Sequence, residues 1–205
     1  MKRVGMAALA AVVAGCFWTS PVLGQLSAGV SAGGTYSSLS GNLVTNTDSD
    51  WGVLLGGFGS FQFETNVALQ LEANWVQKGG RGTVDNVSGD VDIDYIELPL
   101  TVQLVVPLSQ KWIWQLYAGI ALAFKTQCEV SFGTGEKIKC EDNALGWRFE
   151  GTEWSVPFGT SFAYQLTRSF LQADLRYSYG LSSVVKTPEW KNRSWQFIVR
   201  WGFEI

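Results

Sequence analysis

The chain has 205 residues, 46% of them hydrophobic, enough for one domain with a substantial interior. A formal net charge of −3 leaves no broad basic face, which argues against a nucleic-acid partner. Histidine is absent, while ten tryptophans, 23 glycines and only 16% charged residues make an unusual balance for a cytosolic domain.

Residues 1–24 read as a secretory signal peptide, with the domain proper over 25–205. Lys2 and Arg3 supply the positive start, and Val4 to Trp18 is a run of apolar or small residues. Thr19-Ser20-Pro21 breaks the run, and Val22 and Gly24 stand at the −3 and −1 positions before Gln25. Val13-Ala14-Gly15-Cys16 offers an alternative, a lipobox whose cysteine would be acylated. The bulky Phe17-Trp18 after it and the cleavage site at Gly24 favour ordinary processing.

Beyond Gly24 no uninterrupted apolar run reaches the 18 or so residues that a transmembrane helix needs. Period-two alternation appears instead, segment after segment. In the first, Leu26, Ala28, Val30 and Ala32 face away from Ser27, Gly29, Ser31 and Gly33. The second, Trp51 to Phe63, alternates least, with Leu54 and Phe58 on its otherwise small and polar face. The third sets Val67, Leu69, Leu71, Ala73 and Trp75 against Ala68, Gln70, Glu72 and Asn74. The fourth opposes Ile96, Leu98, Leu100, Val102 and Leu104 to Tyr95, Glu97, Thr101 and Gln103.

In the fifth, Trp112, Trp114, Leu116, Ala118, Ile120, Leu122 and Phe124 oppose Gln115, Tyr117, Gly119 and Lys125. The sixth, Trp154 to Leu166, places Val156, Phe158, Phe162 and Tyr164 opposite Ser155, Gly159, Ser161 and Gln165. The seventh runs Leu171, Ala173, Leu175, Tyr177 and Tyr179 against Gln172, Asp174, Arg176 and Ser178. The last, Ser194 to Ile205, runs Trp195, Phe197, Val199, Trp201 and Phe203 against Gln196, Arg200, Gly202 and Glu204. Each segment meets the roughly 9–11 residues with which a tilted strand crosses a bilayer.

Connections alternate too. Glu64-Thr65-Asn66, Leu108 to Lys111 and Thr167-Arg168 are short, whereas 40–50, 79–90, 129–151 and 182–192 are long and polar and read as loops. Short turns on one side and long loops on the other predict an all-β fold: an eight-stranded antiparallel transmembrane up-and-down β-barrel in the outer membrane. Short turns and both termini would then lie in the periplasm. A soluble sandwich or lipocalin-like barrel would carry its polar residues outside, and here no segment is left to cover the apolar face. Trp51, Trp75, Trp112, Trp114, Trp154, Tyr164, Tyr177 and Trp195 fall near strand ends, where interfacial girdles lie. Pro99 and Pro157 fall inside strands that have no free edge, so a bulge is expected at each.

Cys128 and Cys140 remain after the leader, and in an exported chain a lone pair this close is expected to be a disulfide. Without histidine, further soft metal ligands are missing.

Tyr95-Ile96-Glu97-Leu98-Pro99-Leu100 resembles the Tyr-x-Glu-(aliphatic)-Pro-Leu stretch of the outer-membrane β-barrel domain family that includes the PorT-like, small porin-like proteins. Trp201-x-Phe203-x-Ile205 is similar to the C-terminal signal read by the barrel-insertion machinery, with isoleucine where that signal usually ends in an aromatic residue. The resemblance implies an integral outer-membrane barrel and, for most members, no defined activity.

Catalysis is not expected. A hydroxyl nucleophile needs a base titrating near neutrality, imidazole is the usual supplier, and there is none. No phosphate-binding glycine loop opens a helix, so no cofactor is implied. Inward charges form the best-defined constellation: Glu72, Glu97, Asp174, Arg176 and Arg200 fall near mid-strand on the lumen face. Centring the hairpins near 85 and 187 sets Glu72 beside Glu97 and Asp174 beside Arg200, with both glutamates facing the arginines across the lumen. Unpaired charges there would be costly, so an ion-pair network is expected, as a polar plug in preference to a selective path. Asp90-x-Asp92-x-Asp94 puts carboxylates on one strand face; it is a weak Ca²⁺ candidate, and a solvated loop end is preferred.

The function expected is a non-enzymatic barrel, bathed in outer-membrane lipid, that supports envelope integrity or presents loops to a surface or envelope protein. The alternatives are a small channel for ions or solutes, or a subunit of a secretion apparatus.

Overall fold

A computed structural model describes residues 25–41, 47–84, 87–132, 136–140, 150–183, 185–186 and 189–205. The expected signal peptide and the lipobox cysteine lie outside the described residues. Eight long strands run in sequence: β1 (Gln25–Gly41), β2 (Thr47–Glu64), β3 (Val67–Val84), β4 (Val87–Pro107), β5 (Trp112–Phe132), β7 (Thr152–Gln165), β8 (Ser169–Gly180) and β10 (Glu189–Glu204). Two short strands decorate them: β6 (Glu136–Lys139) folds back on β5, and β9 (Val185–Lys186) pairs with β10. Every long strand pairs antiparallel with its sequence neighbour. β1 then pairs with β10 from Ser27↔Glu204 to Gly41↔Trp190, which closes the sheet into a barrel with no free edge.

The alternation seen in the sequence becomes two surfaces. Outward, Val30, Leu55, Leu71, Val102, Ile120, Phe162, Leu171 and Val199 lie exposed side by side. Inward, Ser31, Gln70, Glu72, Thr101, Gln103, Ser161, Gln172, Arg176, Gln196 and Arg200 are buried. The polarity is inverted relative to a soluble barrel. Aromatic residues continue from strand to strand on the outside: Trp51, Tyr36, Trp195, Tyr177 and Phe158 are successive cross-strand partners. At the other end Trp112 meets Tyr164 at 5.0 Å between ring centroids.

One rim carries the turn at Thr65–Asn66, the turns at 108–111 and 166–168, and both ends of the barrel sequence; Ile205 N–H donates to the Leu26 carbonyl at 2.8 Å. The hairpins stand at the opposite rim. Strand extends well into the stretches expected to be loops. The β3–β4 ladder continues through Gly82↔Gly89 to Val84↔Val87, and β5 reaches Phe132. β4 and β5, at 21 residues each, are about twice the length a crossing needs, so the surplus projects beyond it. Outside the crossing the alternation of β4 changes sense, with Val91, Ile93 and Tyr95 buried inward between Asp90, Asp92 and Asp94, so the lipid-facing pattern that marks the crossing stops short of the strand.

Neither proline carries the expected bulge. Pro99 pairs with Ala121 and Pro157 with Ser178 in unbroken register. Each proline turns its missing N–H to the other neighbour, where bridging lapses and resumes in the same register on both sides. A single lost ladder bond is cheaper than re-registering a closed barrel.

Register does shift in β2 against β3 between Ser49 and Leu54. There β1 reaches over β2 to β3. Thr35 Oγ1 donates to the Gln77 carbonyl at 2.6 Å, and Ser37 Oγ donates to the Gly79 carbonyl at 2.9 Å and accepts from the Gly79 N–H at 2.8 Å. Gly52 permits this, because a Cβ there would stand 2.6 Å from Thr35 Oγ1 and press on Gln77.

Candidate functional site: the charged lumen

Mid-barrel, the even positions of β3, β8 and β10 aim charged side chains at one another. Arg176 Nη2 donates to Glu72 Oε1 at 2.5 Å, and Arg200 Nη2 reaches the same oxygen at 3.0 Å. Arg200 Nη1 is paired with Asp174 Oδ2. Tyr117 of β5 ties the group together: its hydroxyl donates to Asp174 Oδ1 at 2.5 Å and accepts from Arg176 Nε at 3.2 Å. Gln70 and Asn74 donate to the two oxygens of Glu72 at 2.7 and 2.8 Å. Two acids thus face two guanidiniums, and the central layer is charge-balanced.

Arg176 and Glu72 are 1% exposed and Arg200 0%, so these groups are shielded from bulk solvent. Each buried charge has an opposite partner, since an unpaired one costs several kcal/mol, on the order of the stability of a domain, while Arg176 Nη1 and Arg200 Nε make no hydrogen bond among the described residues.

Glu97 does not join the arginines. On β4 it stands opposite Asn74, two places from the register that would set it beside Glu72. Its partner is Lys78, whose Nζ lies 2.8 Å from Glu97 Oε2 and 4.0 Å from Glu153 Oε1. Asn192 Nδ2 donates to Glu153 Oε2 at 2.8 Å, and Lys78 Nζ lies 5.4 Å from the centroid of the Tyr95 ring. This upper layer was not foreseen as a cluster. Lys78 continues the inward even series of Glu72, Asn74 and Val76, and Glu153 the inward odd series of Ser155, so parity carried through the strand ends finds both.

Apolar layers flank the charges. Leu54 and Phe58, the misfits of the second segment, do point inward: Leu54 packs with Val76 and Ile198, and Phe58 lies 6.1 Å from Phe170. A Cβ at Gly202 would collide with both of those rings. Towards the hairpin rim Val91, Ile93, Tyr95, Ala123, Val130, Cys140 and Trp190 form a buried cluster that caps the upper layer.

Cys128 and Cys140 are joined as a disulfide with Cα atoms 5.4 Å apart, pinning the β5–β6 return to that cap. Closing a ring of about 13 residues contributes roughly 3 kcal/mol in the loop-entropy picture. Non-reducing mass mapping of protein taken from the envelope should find the bridge, and Cys128→Ser/Cys140→Ser should let external protease cut this hairpin. Two free thiols would refute it.

Asp90, Asp92 and Asp94 do not converge, being strung along β4 at intervals of about 6.6 Å. Among the described residues no group of three or more His, Cys, Asp or Glu is placed to hold a metal ion. Asp92 and Asp94 instead border a cavity of about 290 Å³ with Asp50, Gln77 and Glu129.

A closed antiparallel barrel with a lipid-compatible outside and a polar, charged inside is the architecture of an integral outer-membrane protein. The sequence pattern of the outer membrane protein beta-barrel domain matches residues 19–186, and the chain belongs to that family. It is similar in fold to Neisserial surface protein A, with 13% identity over 87% of this chain and 97% of that one and a TM-score of 0.54. It is likewise similar to outer membrane protein OprG of Pseudomonas aeruginosa, with 15% identity over 89% and 96% and a TM-score of 0.53. Among curated proteins none matches. The chain is therefore an outer-membrane protein embedded in lipid.

Proposed function

We propose that this is a non-enzymatic barrel with a sealed lumen, which serves the envelope as a structural element and presents its hairpins to partner proteins. The charge-balanced layer of Glu72, Asp174, Arg176 and Arg200, closed above and below by apolar layers, carries this reading. A conducting lumen would need a water path through groups that are shielded from bulk solvent. Strands β4 and β5 rise past the crossing at 21 residues each, and the β5–β6 return is cross-linked, as suits a presenting surface. Loops on a rigid scaffold are the common seat of recognition.

Short turns and both termini belong in the periplasm on this reading. Trp201 and Phe203 on the lipid face of the last strand are then available to the insertion machinery during assembly. Purified barrel in planar bilayers should show no steady single-channel conductance, and steady openings would favour the channel. For orientation, a cysteine at exposed Gly151 should react with an impermeant reagent on whole cells, and one at Asn66 should not, both in the Cys128→Ser/Cys140→Ser background. Crosslinking in native membranes that captures a defined export complex would point to the secretion-subunit reading.

A further inference from the structure

Unlike the central layer, the upper one does not balance. Glu97 of β4 and Glu153 of β7 are cross-strand neighbours of the same residue, Ala123 of β5, whose small side chain leaves the space between them open. Among the described residues only Lys78 of β3 answers the two carboxylates. Arg176 of β8, the next cation towards the turn rim, is already engaged with Glu72. Lys125 of β5, opposite Tyr95, lines the cavity beside the disulfide. Asn192 of β10 is neutral, and Tyr95 of β4 is a phenol. One surplus negative charge therefore sits in a site where Glu97 and Glu153 are 0% and 1% exposed.

Hydrogen bonding says where it is relieved. Glu97 Oε2 is in direct contact with the ammonium at 2.8 Å, whereas Glu153 Oε1 stands 4.0 Å from Lys78 Nζ. Among the described residues Glu97 Oε1, Glu153 Oε1 and Asn192 Oδ1 are buried acceptors without a full hydrogen bond, and the Tyr95 hydroxyl, itself a donor, neighbours Glu153. One phenol cannot serve all of these acceptors, and those left over around a surplus charge mark a missing donor.

We propose that the upper layer is a proton-binding site, in which Glu153 carries an exchangeable proton at neutral pH and its ionisation in alkaline medium loosens the cap on the lumen. The step is a simple dissociation: the O–H bond at Glu153 Oε1 breaks, the electron pair stays on the carboxylate and the proton passes to solvent. Glu153 stands one residue beyond Trp154, the exposed aromatic that ends the apolar outer band of β7, so the proton has a short way out. The cap touches the site through Tyr95 and Ala123, so a second negative charge is felt by Trp190 and Ile93 in the same cluster.

Infrared spectra of the folded barrel in lipid at neutral pH should show a protonated-carboxyl C=O band that shifts on deuteration. It should vanish in Glu153→Gln. It should vanish in Glu97→Gln too, because one acid and one ammonium need no proton. It should survive in Asp92→Asn. The folded state then binds a proton that the unfolded chain has released, so the urea midpoint should fall as pH rises from neutrality. In Glu153→Gln it should change distinctly less over that range. Absence of the band from the wild type overturns the proposal. So does a wild-type midpoint that sodium or calcium raises while Glu153→Gln does not respond, which would make this a metal-ion site.

Discussion

Arg200→Met should lower the urea midpoint for unfolding from lipid vesicles by the equivalent of about 3–5 kcal/mol, the usual cost of stranding a buried charge. Arg200 is the cation shared by Glu72 and Asp174, and Arg176 alone cannot neutralise both. The loss is chiefly the price of the abandoned carboxylates, so Asp174→Asn in the same chain should recover part of it. Arg168→Met, exposed in a turn, should stay within about 0.5 kcal/mol of wild type. If Arg200→Met is as harmless as Arg168→Met, the layer is wet and the plug fails. A steady conductance gained by Arg200→Met would instead identify the layer as a gate.

Lys78→Met should come next in size, again about 3–5 kcal/mol, because the ammonium is the only cation paired with the two glutamates of the upper layer among the described residues. Adding Glu97→Gln should restore much of that stability, since it removes the carboxylate in closest contact. A double variant no better than Lys78→Met would mean that Lys78 matters for its packing against Tyr95 and not for its charge.

The two layers differ in how far the sequence discloses them. Glu72, Asp174, Arg176 and Arg200 sit mid-strand, where a lipid-facing neighbour on either side marks them as inward. Strand order and inward face follow from that contrast alone. Lys78 and Glu153 sit near strand ends, where polar Gln77 and Thr152 each take one of the flanking positions, so the contrast fades. Register is the second gap. Asp174 stands opposite Ile198, not Arg200, and the ion pair forms across the diagonal because an arginine is long enough to bridge it. Glutamate is shorter, so the same two-place offset that spared Asp174 took Glu97 out of the arginines' reach and gave it to Lys78. The prolines mislead for a related reason: closure ties every strand on both sides, and a lone defect is absorbed without slippage.

The bridge from β1 to β3 has a bearing on how the barrel can be opened. Strand β1 is grasped by β10 on one flank and β2 on the other, and through Thr35 and Ser37 also by the strand after that. Parting the β1–β10 seam therefore does not release β1, and breathing of the wall is steered away from that corner. The Gly79 amide makes this visible, because its proton is clasped by the hydroxyl of a residue two strands away. Deuterium uptake at that single amide keeps time with the hydroxyl of Ser37, and Ser37→Ala would quicken it while the ladder on either side of Gly79 keeps its pace.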